Sequence, residues 1–436
     1  MTEHQSQQLA VAQKVPHPRG KRSWLGVAVS KAPPVGQSQR PVSGTDSIRG
    51  RDCRVTEPET RSVVDDAPGV QLAAILALDP YGSVVDGHTV GGYRSSPPAA
   101  ILKIDDRASL KSSPELSSPA VPELLYLSRA DVERLLDIDS MLDALAKALV
   151  VFSSGITSVP PRAGARVGDR GILGAMPGYV PGIALEVKLV SVFPANHDHG
   201  LPSHQGLIAL FDEDTGTPLT VMDGAYITAI RTGGTAAVAA RELSRRDASI
   251  LAILGGGVQG GSHLETFPRV RDFKEIRIAS RDSGKANALA SRHPRAVVAE
   301  SFEAAVRGAD VVACCTDARE PILRREWLKP GAHVSSVGGT WGPELDAETI
   351  AAGRVFVEWR GAATTPPPAG AVELQGLDAS SLIEVGEVLA GTRPGRLSAD
   401  EITVYKSTGH AVEDAAAARL VYDRARAEGV GISLVL

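Results

Sequence analysis

The sequence predicts an α/β protein, with one doubly wound parallel sheet and a smaller α+β domain. Two observations support this prediction. From about residue 249 onward, short apolar runs of strand length alternate with helical segments, which is the pattern of a parallel sheet. Between about residues 122 and 242, by contrast, an amphipathic helix is followed by several strand-like runs and an alanine-rich helix.

Composition limits the classes of protein to which the chain can belong. Its 436 residues, 43% of them hydrophobic, suffice for two or three domains. A net charge of −5 without a basic block argues against a nucleic-acid partner. No apolar run approaches the ~18 residues that span a bilayer, and the N-terminus lacks the pattern of a secretory signal. Three cysteines are too few for a disulfide framework. We therefore expect a cytoplasmic protein with no membrane partner.

The first part of the chain differs in composition from the rest. Residues 1–121 are rich in Pro, Ser, Gly, Gln and Arg, and neither a helical nor a strand period is sustained in them. Such sequence does not bury enough apolar surface to fold. We expect a disordered extension here, or sequence added by a start codon assigned too far upstream.

Organised sequence begins near Leu124. Ser128 and Asp131 form a capping box, which predicts the start of one amphipathic helix continuing to Leu149. A hairpin turn is predicted at residues 214–218. Strands are expected at residues 171–176, 183–193, 205–211 and 219–222, and a helix over residues 228–243.

The alternating pattern then gives the elements of the parallel sheet. Cys314 and Cys315 are adjacent in a strand-like run, so their side chains should point to opposite faces as small buried hydrophobic groups. A Pro-rich loop is expected at residues 366–381 and a last helix at 411–428. Strands are expected at residues 250–254, 275–279, 297–299, 311–314, 333–337 and 355–357.

A glycine motif follows the first strand of this sheet. The pattern Gly255-x-Gly257-x-x-Gly260 begins where the apolar run ends, and a helix is predicted over residues 261–271. Glycines allow the backbone to approach a pyrophosphate, and the helix N-terminus presents N–H groups and a positive dipole to it. The motif therefore predicts a dinucleotide site in a Rossmann-type domain; the alternative is an ordinary glycine turn between strand and helix.

The tip of the next strand bears on the choice of dinucleotide. NAD sites usually place an acidic residue there to accept from the ribose 2′-OH. This chain instead has Ser280 and Arg281, and Asp282 comes two residues late. The pattern favours NADP(H) over NAD(H), unless Arg281 is only a solvated turn residue.

An ordered set of motifs extends from about Leu124 to the C-terminus. The motifs are Met176-Pro177, Val187-Lys188, Gly200 to Gly206, Leu219 to Gly224, Ile230-Arg231-Thr232, Gly255-x-Gly257-x-Gln259, Trp327 to Gly331, Val337-Gly338, Glu384 to Gly391, Pro394 to Arg396, and Glu401 to Gly409 with Glu413-Asp414. In this order they resemble the ornithine cyclodeaminase/mu-crystallin family. The resemblance implies a homodimer, with a substrate and dimerisation domain (122–242 with 405–436) beside a Rossmann domain (243–404).

The family places the lysine of the Val187-Lys188 motif at the reacting carbon, so the resemblance implies a catalytic Lys188. Apolar neighbours would desolvate this lysine and make it a usable proton donor or acceptor near neutrality. From the residues alone, the alternative is a strand lysine that faces solvent beside Glu186.

Two arginines are predicted to hold a substrate carboxylate. Arg231 precedes a run of small residues, where its fork could bind a carboxylate in a bidentate way, unless it forms a surface salt bridge. The resemblance implies a second carboxylate-binding arginine at Arg162, with Arg166 as a nearby competitor.

The resemblance implies further binding residues. His197, Asp198, His199 and His204 do not have the spacing of a metal site, so a polar substrate loop is preferred and no metal is expected. The remaining substrate residues implied are Met176, Ser203, His204 and Thr340. The cofactor residues implied are Thr232, Gly255, Gly257, Val258, Gln259, Gly260, Ser280, Arg281, Thr316, Val337, Gly338 and Ser407.

One position departs from the family pattern. Cyclodeaminases proper carry an aspartate after the Val337-Gly338-Gly339 run, which contacts the distal amine of ornithine; here Thr340 takes that place. The lost charge-assisted hydrogen bond is worth roughly 1.5–3 kcal/mol, which disfavours ornithine.

Three hypotheses therefore stand. The first is an NAD(P)-dependent oxidoreductase acting on the Cα–N bond of an amino or imino acid. The second is a cyclodeaminase with bound NAD. The third is a non-catalytic protein that binds NADPH or a small ligand.

Overall fold

A computed structural model describes residues 123–339 and 342–436 of the chain, and the backbone alone of His197. Thr340, Trp341 and residues 1–122 lie outside the described residues. The expectations stated for Thr340 and for residues 1–121 therefore remain predictions.

The described chain begins with a strand, two helices and a meander of strands. The elements up to residue 243 are β1 (Glu123–Leu127), α1 (Arg129–Leu135), α2 (Ile138–Ser153), β2 (Ala163–Val167), β3 (Gly171–Val180), β4 (Ala184–Val192), β5 (His204–Phe211), β6 (Pro218–Asp223) and α3 (Gly224–Leu243).

Strands and helices alternate after α3. The elements are β7 (Ile250–Leu254), α4 (Val258–Val270), β8 (Glu275–Ala279), α5 (Ser283–Ala290), β9 (Ala296–Val298), α6 (Phe302–Val306), β10 (Val311–Cys314), β11 (His333–Ser336), α7 (Ala347–Ala352), β12 (Arg354–Val357), β13 (Ile383–Glu384), α8 (Val385–Leu389), β14 (Thr403–Lys406), α9 (Ala411–Glu428) and β15 (Ile432–Val435).

The second sheet has the predicted doubly wound architecture. Its strand order is β13-β12-β14-β11-β10-β7-β8-β9, and every pair of neighbours is parallel. The chain moves outward from β7 through β8 to β9, then returns to β10 on the other side of β7. This reversal creates a crevice at the carboxyl ends of β7 and β10, where ligands bind in such sheets. The α/β class and the Rossmann-type sheet are confirmed.

The first sheet is mixed. Its order is β15-β1-β6-β5-β4-β3-β2, with β1 and β6 parallel and the other pairs antiparallel. One face packs against α2, α3 and α9, the last of which returns from the end of the second sheet. On the other face, Leu173, Leu189 and Leu207 are each more than 40% exposed on three neighbouring strands.

The structure confirms the prediction that Cys314 and Cys315 are buried on opposite faces of the sheet. Cys314 and Cys315 are both buried and free. Cys314 packs in the apolar cluster that also contains Val312 and Val334, whereas Cys315 packs in the cluster that contains Ile253 and Val311. The two side chains therefore lie on opposite sides of the sheet.

The predicted first helix is two helices, which corrects the sequence-based interpretation. The capping box is present, since Ser128 accepts from the Asp131 backbone N–H and Asp131 accepts from the Ser128 backbone N–H. Leu136 and Asp137, however, have extended backbone conformations. The Asp137 carboxylate accepts from the Ser140 backbone N–H at 2.8 Å and so starts a new helix.

Several strands were not expected from the sequence. β2 and β15 are mostly exposed edge strands, and β14 contains the buried charge of Lys406. Within residues 123–339 and 342–436, no helix is long and apolar enough to cross a membrane.

Candidate active site

The glycine motif forms a turn that only glycine allows at two positions. Gly255 has φ of +125°, and a Cβ there would lie 2.5 Å from the carbonyl oxygen of Cys315. A Cβ on Gly260 would lie 2.0 Å from the carbonyl oxygen of Gly255. Helix α4 starts at Val258, and no side chain caps its first N–H groups. Val258 is 73% exposed. The turn therefore offers an open, positively polarised cradle that fits a dinucleotide pyrophosphate.

The tip of β8 presents an exposed arginine, and the acidic residue that follows it caps the next helix. The Asp282 carboxylate accepts from the Lys285 backbone N–H at 3.0 Å, so it caps α5. Ser280 Oγ accepts from the Asp282 backbone N–H at 3.2 Å. Arg281 is exposed, and its Nη2 lies 3.1 Å from Oδ1 of Asp317, which is also exposed.

One buried carboxylate organises the carboxyl ends of β10 and β11. Glu344 accepts at Oε1 from the backbone N–H and the hydroxyl of Thr316, at 2.6 and 2.7 Å. At Oε2 it accepts from Ser336 Oγ at 2.7 Å and from the Gly338 backbone N–H at 2.8 Å. Two of the predicted cofactor residues, Thr316 and Gly338, are thus fixed by the same side chain.

A buried lysine extends this network to β14. Lys406 Nζ donates to Ser336 Oγ at 2.9 Å and to the carbonyl oxygen of Gly338 at 2.7 Å. It also forms an ion pair with Glu373 at 3.1 Å. Glu373 in turn accepts from the Glu344 backbone N–H at 2.7 Å. Glu373 belongs to the segment predicted as a Pro-rich loop, so that segment is anchored beside the predicted cofactor residues.

Three other predicted cofactor residues lie in this region of the fold. Val337 follows β11 and donates its backbone N–H to the carbonyl oxygen of Cys314 at 3.1 Å. Ser407 follows β14, and its hydroxyl donates to Glu358 at 3.2 Å. Thr232 lies on α3, where its hydroxyl donates to the carbonyl oxygen of Thr228 at 2.7 Å.

Lys188 is buried and paired. It lies on β4, with 2% of its side chain exposed, and its Nζ is 2.7 Å from Oδ2 of Asp414 on α9. Burial lowers the Lys188 pKa to about 8, although Asp414 opposes the effect. The interpretation of Lys188 as a solvent-facing lysine is therefore wrong.

Arg231 reaches the same acidic pair from α3. Its Nε lies 2.9 Å from Oδ1 of Asp414, and its Nη1 pairs with Glu413. Burial acts against the charge of Arg231, but Asp414 and Glu413 outweigh burial and raise its pKa. Gly409 has φ of +71°, and a Cβ there would lie 2.7 Å from Nη1 of Arg231. A glycine is required at that position because the guanidinium occupies the space of a side chain.

The two acids on α9 respond differently to burial. Burial raises the Glu413 pKa to about 8, even though Arg231 lowers it. Burial also acts to raise the Asp414 pKa, but Arg231 and Lys188 hold it below its ordinary value. Asp414 is therefore the ionised partner of both cations.

Arg162 directly precedes β2, and its side chain reaches the loop that precedes α9. Its Nη2 donates to the carbonyl oxygens of Thr408 and Gly409 at 2.7 and 2.6 Å. Burial lowers the Arg162 pKa, and the positive charge of Arg231 lowers it further. An anion placed between the two guanidinium groups would relieve this repulsion.

A narrow cleft opens beside Arg162. Met176 is buried in its wall and is the cross-strand neighbour of Lys188, so the two side chains lie on the same face of the sheet. The cleft is lined by Val159, Pro160, Pro161, Arg162, Met176, Trp359, Gly409, His410 and Ala411.

The polar loop with the remaining predicted substrate residues lies at the end of β4. Its backbone forms a 3-10 helix over Pro194–His199, which includes Asp198. Ser203 precedes β5, and its hydroxyl lies 3.1 Å from Nδ1 of His204.

The model of the ornithine cyclodeaminase/mu-crystallin family matches residues 123–429. This chain belongs to that family.

Three relatives illustrate the relationship. The ketimine reductase mu-crystallin of Mus musculus is 41% identical over 312 residues, which cover 68% of this chain and 96% of the mouse protein. A Thermococcus litoralis Delta(1)-pyrroline-2-carboxylate reductase, solved in complex with NADH and L-proline, is 33% identical with a TM-score of 0.68; the match covers 71% of this chain and all of that one. An archaeal alanine dehydrogenase dimer with bound NAD is 32% identical with a TM-score of 0.65. The match covers 72% of this chain and 99% of that one.

Several buried acids in this family member were not assigned from the sequence. Glu413 and Asp414 stand side by side in an alanine-rich helix, and this unusual pair was a signal that could have been used. Glu358 gave no such signal. It is buried beside Tyr405 and accepts at Oε1 from the backbone N–H groups of Thr408 and Gly409, at 2.6 and 2.7 Å.

Proposed function

We propose that this chain is a nicotinamide-dependent oxidoreductase that acts on the Cα–N bond of an amino or imino acid, in the direction of ketimine or cyclic imine reduction. The observation that carries the proposal is the buried ion pair of Lys188 and Asp414 at 2.7 Å. A lysine with a pKa of about 8 exists in both protonation states near neutrality, which suits a general acid or base.

The substrate class follows from the charges around the cleft. Arg162 and Arg231 lie close enough for Arg231 to lower the pKa of Arg162. Two neighbouring guanidinium groups favour a carboxylate ligand. An α-imino acid has a carboxylate one carbon away from the C=N bond. Binding of that carboxylate by the arginines would bring the imine nitrogen towards Lys188, which is the cross-strand neighbour of Met176 in the cleft wall.

In the reductive direction, the Lys188 ammonium donates a proton to the imine nitrogen, and Asp414 holds the ammonium in place. Arg162 and Arg231 bind and orient the carboxylate. The buried walls of the site exclude water, which strengthens these charged interactions. Bound nicotinamide would supply the hydride, held by the Gly255–Gly260 turn and by the residues that Glu344 positions.

The proposed cofactor is NADP(H) in preference to NAD(H). Support comes from the tip of β8, where Arg281 is exposed and Asp282 is engaged in capping α5. An arginine can pair with a 2′-phosphate, whereas NAD sites usually have an acidic residue at the position that Arg281 occupies.

We also propose a cytoplasmic homodimer in which each chain has two domains. The exposed face around Leu173, Leu189 and Leu207 would be covered by the same face of a second copy. The archaeal alanine dehydrogenase of similar fold is described as a dimer. We propose that the boundary, predicted at residue 404, lies after Lys406, because β14 belongs wholly to the second sheet.

The test is an assay of purified protein for NADPH and NADH oxidation against a panel of cyclic imino acids, and of α-keto acids with amines. The expected result is turnover of at least one substrate that Lys188→Ala lowers strongly. Release of ammonia from ornithine without net NAD(P)H oxidation would favour the cyclodeaminase. If NADPH binds but no member of a wide panel reacts, the non-catalytic hypothesis is favoured.

A further inference from the structure

Glu186 is a buried acid that the reaction described above does not use. It lies on β4 two residues before Lys188, so both side chains are on the same face of the sheet. It is 2% exposed, and neither of its carboxyl oxygens has a hydrogen-bond partner among the described residues. A carboxylate is rarely left charged and unpartnered in such a place, because neutralisation by a proton is more favourable.

The position of Glu186 links it to the substrate cleft. Gly178 is its neighbour on β3, and a Cβ on Gly178 would lie 3.3 Å from Oε1 of Glu186. The same Cβ would lie 3.3 Å from Ala411 and 3.6 Å from Val159. Ala411 and Val159 line the cleft beside Arg162. The Glu186 carboxyl group therefore lies directly behind the wall of the cleft.

Charged groups on α9, β4 and α3 act on the Glu186 carboxyl group. Asp414 on α9 disfavours its ionisation, while Lys188 on β4 and Arg231 on α3 favour it. Its partners in register on β3 and β5, Gly178 and Leu210, are uncharged. Burial outweighs the two cations and raises the Glu186 pKa well above its ordinary value.

Counting the charges shows why a proton belongs in this cluster. The buried cluster contains four acids and three basic groups that interact with one another. The acids are Glu186, Glu358, Glu413 and Asp414, and the basic groups are Lys188, Arg162 and Arg231. A substrate carboxylate would add a further negative charge. At least one of the acids must be protonated for the buried cluster to approach neutrality, and Glu186 is the one without a hydrogen bond to its oxygens.

We propose that Glu186 is a positioning residue that acts through Lys188: it holds a proton in the buried cluster and releases it as the pH rises, so that Lys188 keeps its ammonium charge to higher pH. The role of Lys188 in this inference rests on the proposed function. The physical basis is that an ionised Glu186 stabilises the positive charge beside it, whereas a neutral amide at the same position would not.

The first test is the pH dependence of kcat/KM for imine reduction by Glu186→Gln. The alkaline limb is expected to move to lower pH by about one unit, the size of effect that a nearby charge exerts. Turnover at lower pH should change little. Glu300→Gln, which removes one exposed carboxylate from the second domain, is the matched control and should leave the profile unchanged. Coincident profiles for Glu186→Gln and the unmutated enzyme would overturn the proposal.

A second measurement does not depend on turnover. NMR of isotope-labelled lysine, with Lys188→Arg to assign the signal, reports the titration of Lys188 directly. Glu186→Gln should lower its midpoint. If the midpoint falls while no imine is turned over, the proposed function fails and the coupling stands. If turnover occurs and the midpoint is unchanged, the coupling fails alone.

Thermal unfolding checks that Glu186 holds the proton. A group with a raised pKa in the folded state binds protons more tightly there than in the unfolded chain, so its contribution to stability is lost as the pH rises from its ordinary value to the raised one. The unmutated protein should therefore lose Tm relative to Glu186→Gln over that range. A constant difference in Tm, or failure of Glu186→Gln to fold, would contradict the proposal.

Discussion

The Lys188 ammonium and the Asp414 carboxylate form an ion pair of 2.7 Å in which neither side chain is more than 2% exposed. The two residues lie on β4 and α9, which are far apart along the chain. Breaking a buried pair of this kind by removing one partner typically costs 3–5 kcal/mol, because the other charge is left uncompensated. Because separating the two charges would cost this free energy, the ion pair holds Nζ of Lys188 in one position. A group that transfers a proton must be held in this way.

Replacing Lys188 tests this role directly. Lys188→Ala should lower kcat by roughly 10²–10⁴, since the proton donor is lost, while the dissociation constant of the cofactor changes little. Lys188→Arg should also be inactive, because an arginine keeps the charge but does not release its proton near neutrality. Steady-state kinetics and fluorescence titration with NADPH would measure both effects. Near-normal turnover by either variant would contradict the assignment.

The pH dependence of the two reaction directions should be opposite. Reduction needs the Lys188 ammonium, so kcat/KM should fall as the pH rises beyond about 8. Oxidation of the amino acid needs the neutral amine of Lys188 as the proton acceptor, so kcat/KM for oxidation should rise through the same pH range. Rates measured in both directions on one enzyme preparation would decide the matter. Parallel profiles would show that another group carries the proton.

Arg162 and Arg166 can be distinguished by matched substitutions. Arg162→Lys keeps the charge but loses the fork that reaches the carbonyl oxygens of Thr408 and Gly409. We expect KM for the carboxylate substrate to rise about tenfold, equivalent to about 1.4 kcal/mol. Arg166→Lys, on the exposed part of β2, should behave like the unmutated enzyme. The reverse result would move the carboxylate site to Arg166.

Cofactor preference should respond to two substitutions in opposite ways. Arg281→Ala should weaken NADPH binding about tenfold or more, with little effect on NADH, because one phosphate contact is lost. Asp317→Asn removes the partner 3.1 Å from Arg281 and should strengthen NADPH binding. Calorimetric titration of the unmutated protein and of each variant with NADPH and with NADH gives the dissociation constants to compare. Equal losses of NADPH and NADH affinity in Arg281→Ala would show that Arg281 does not contact the 2′-phosphate.

The association of two copies should depend on the exposed face of the first sheet. Leu207→Glu places a charge in the middle of that face and should shift the protein from dimer to monomer in analytical ultracentrifugation. Leu397→Glu is the control, because Leu397 is 63% exposed in a loop away from this sheet. A monomeric unmutated protein, or a dimer that survives Leu207→Glu, would argue against this interface.

Much of the fold could be predicted from the sequence, because its signals are local. Strands β7 and β10 are short apolar runs, β8 alternates apolar and charged residues, and the Gly255 turn marks the switch from strand to helix. The break between α1 and α2 was missed because the apolar period continues across it. Only the cap made by Asp137 reveals that the backbone has turned.

The candidate site was less accessible to sequence reasoning. Only the family motif predicts a catalytic Lys188, since its strand alone favours a solvent-facing lysine. Its environment depends on Asp414, more than 200 residues later in the chain. Glu344 and Lys406 could not have been placed together from the sequence, because both reach Ser336 only when β11 and β14 lie side by side in the folded sheet.

The segment from Lys406 to Asp414 contributes to both halves of the site. Its first residues support the positions where a nicotinamide would lie, its carbonyl oxygens hold Arg162, and its last two acids hold Arg231 and Lys188. For protein engineering, this stretch is an unsuitable junction between parts taken from different relatives. A chimera that exchanges parts between relatives should carry the whole segment from one parent, because a change in its length would displace Arg162, Arg231 and Lys406 together.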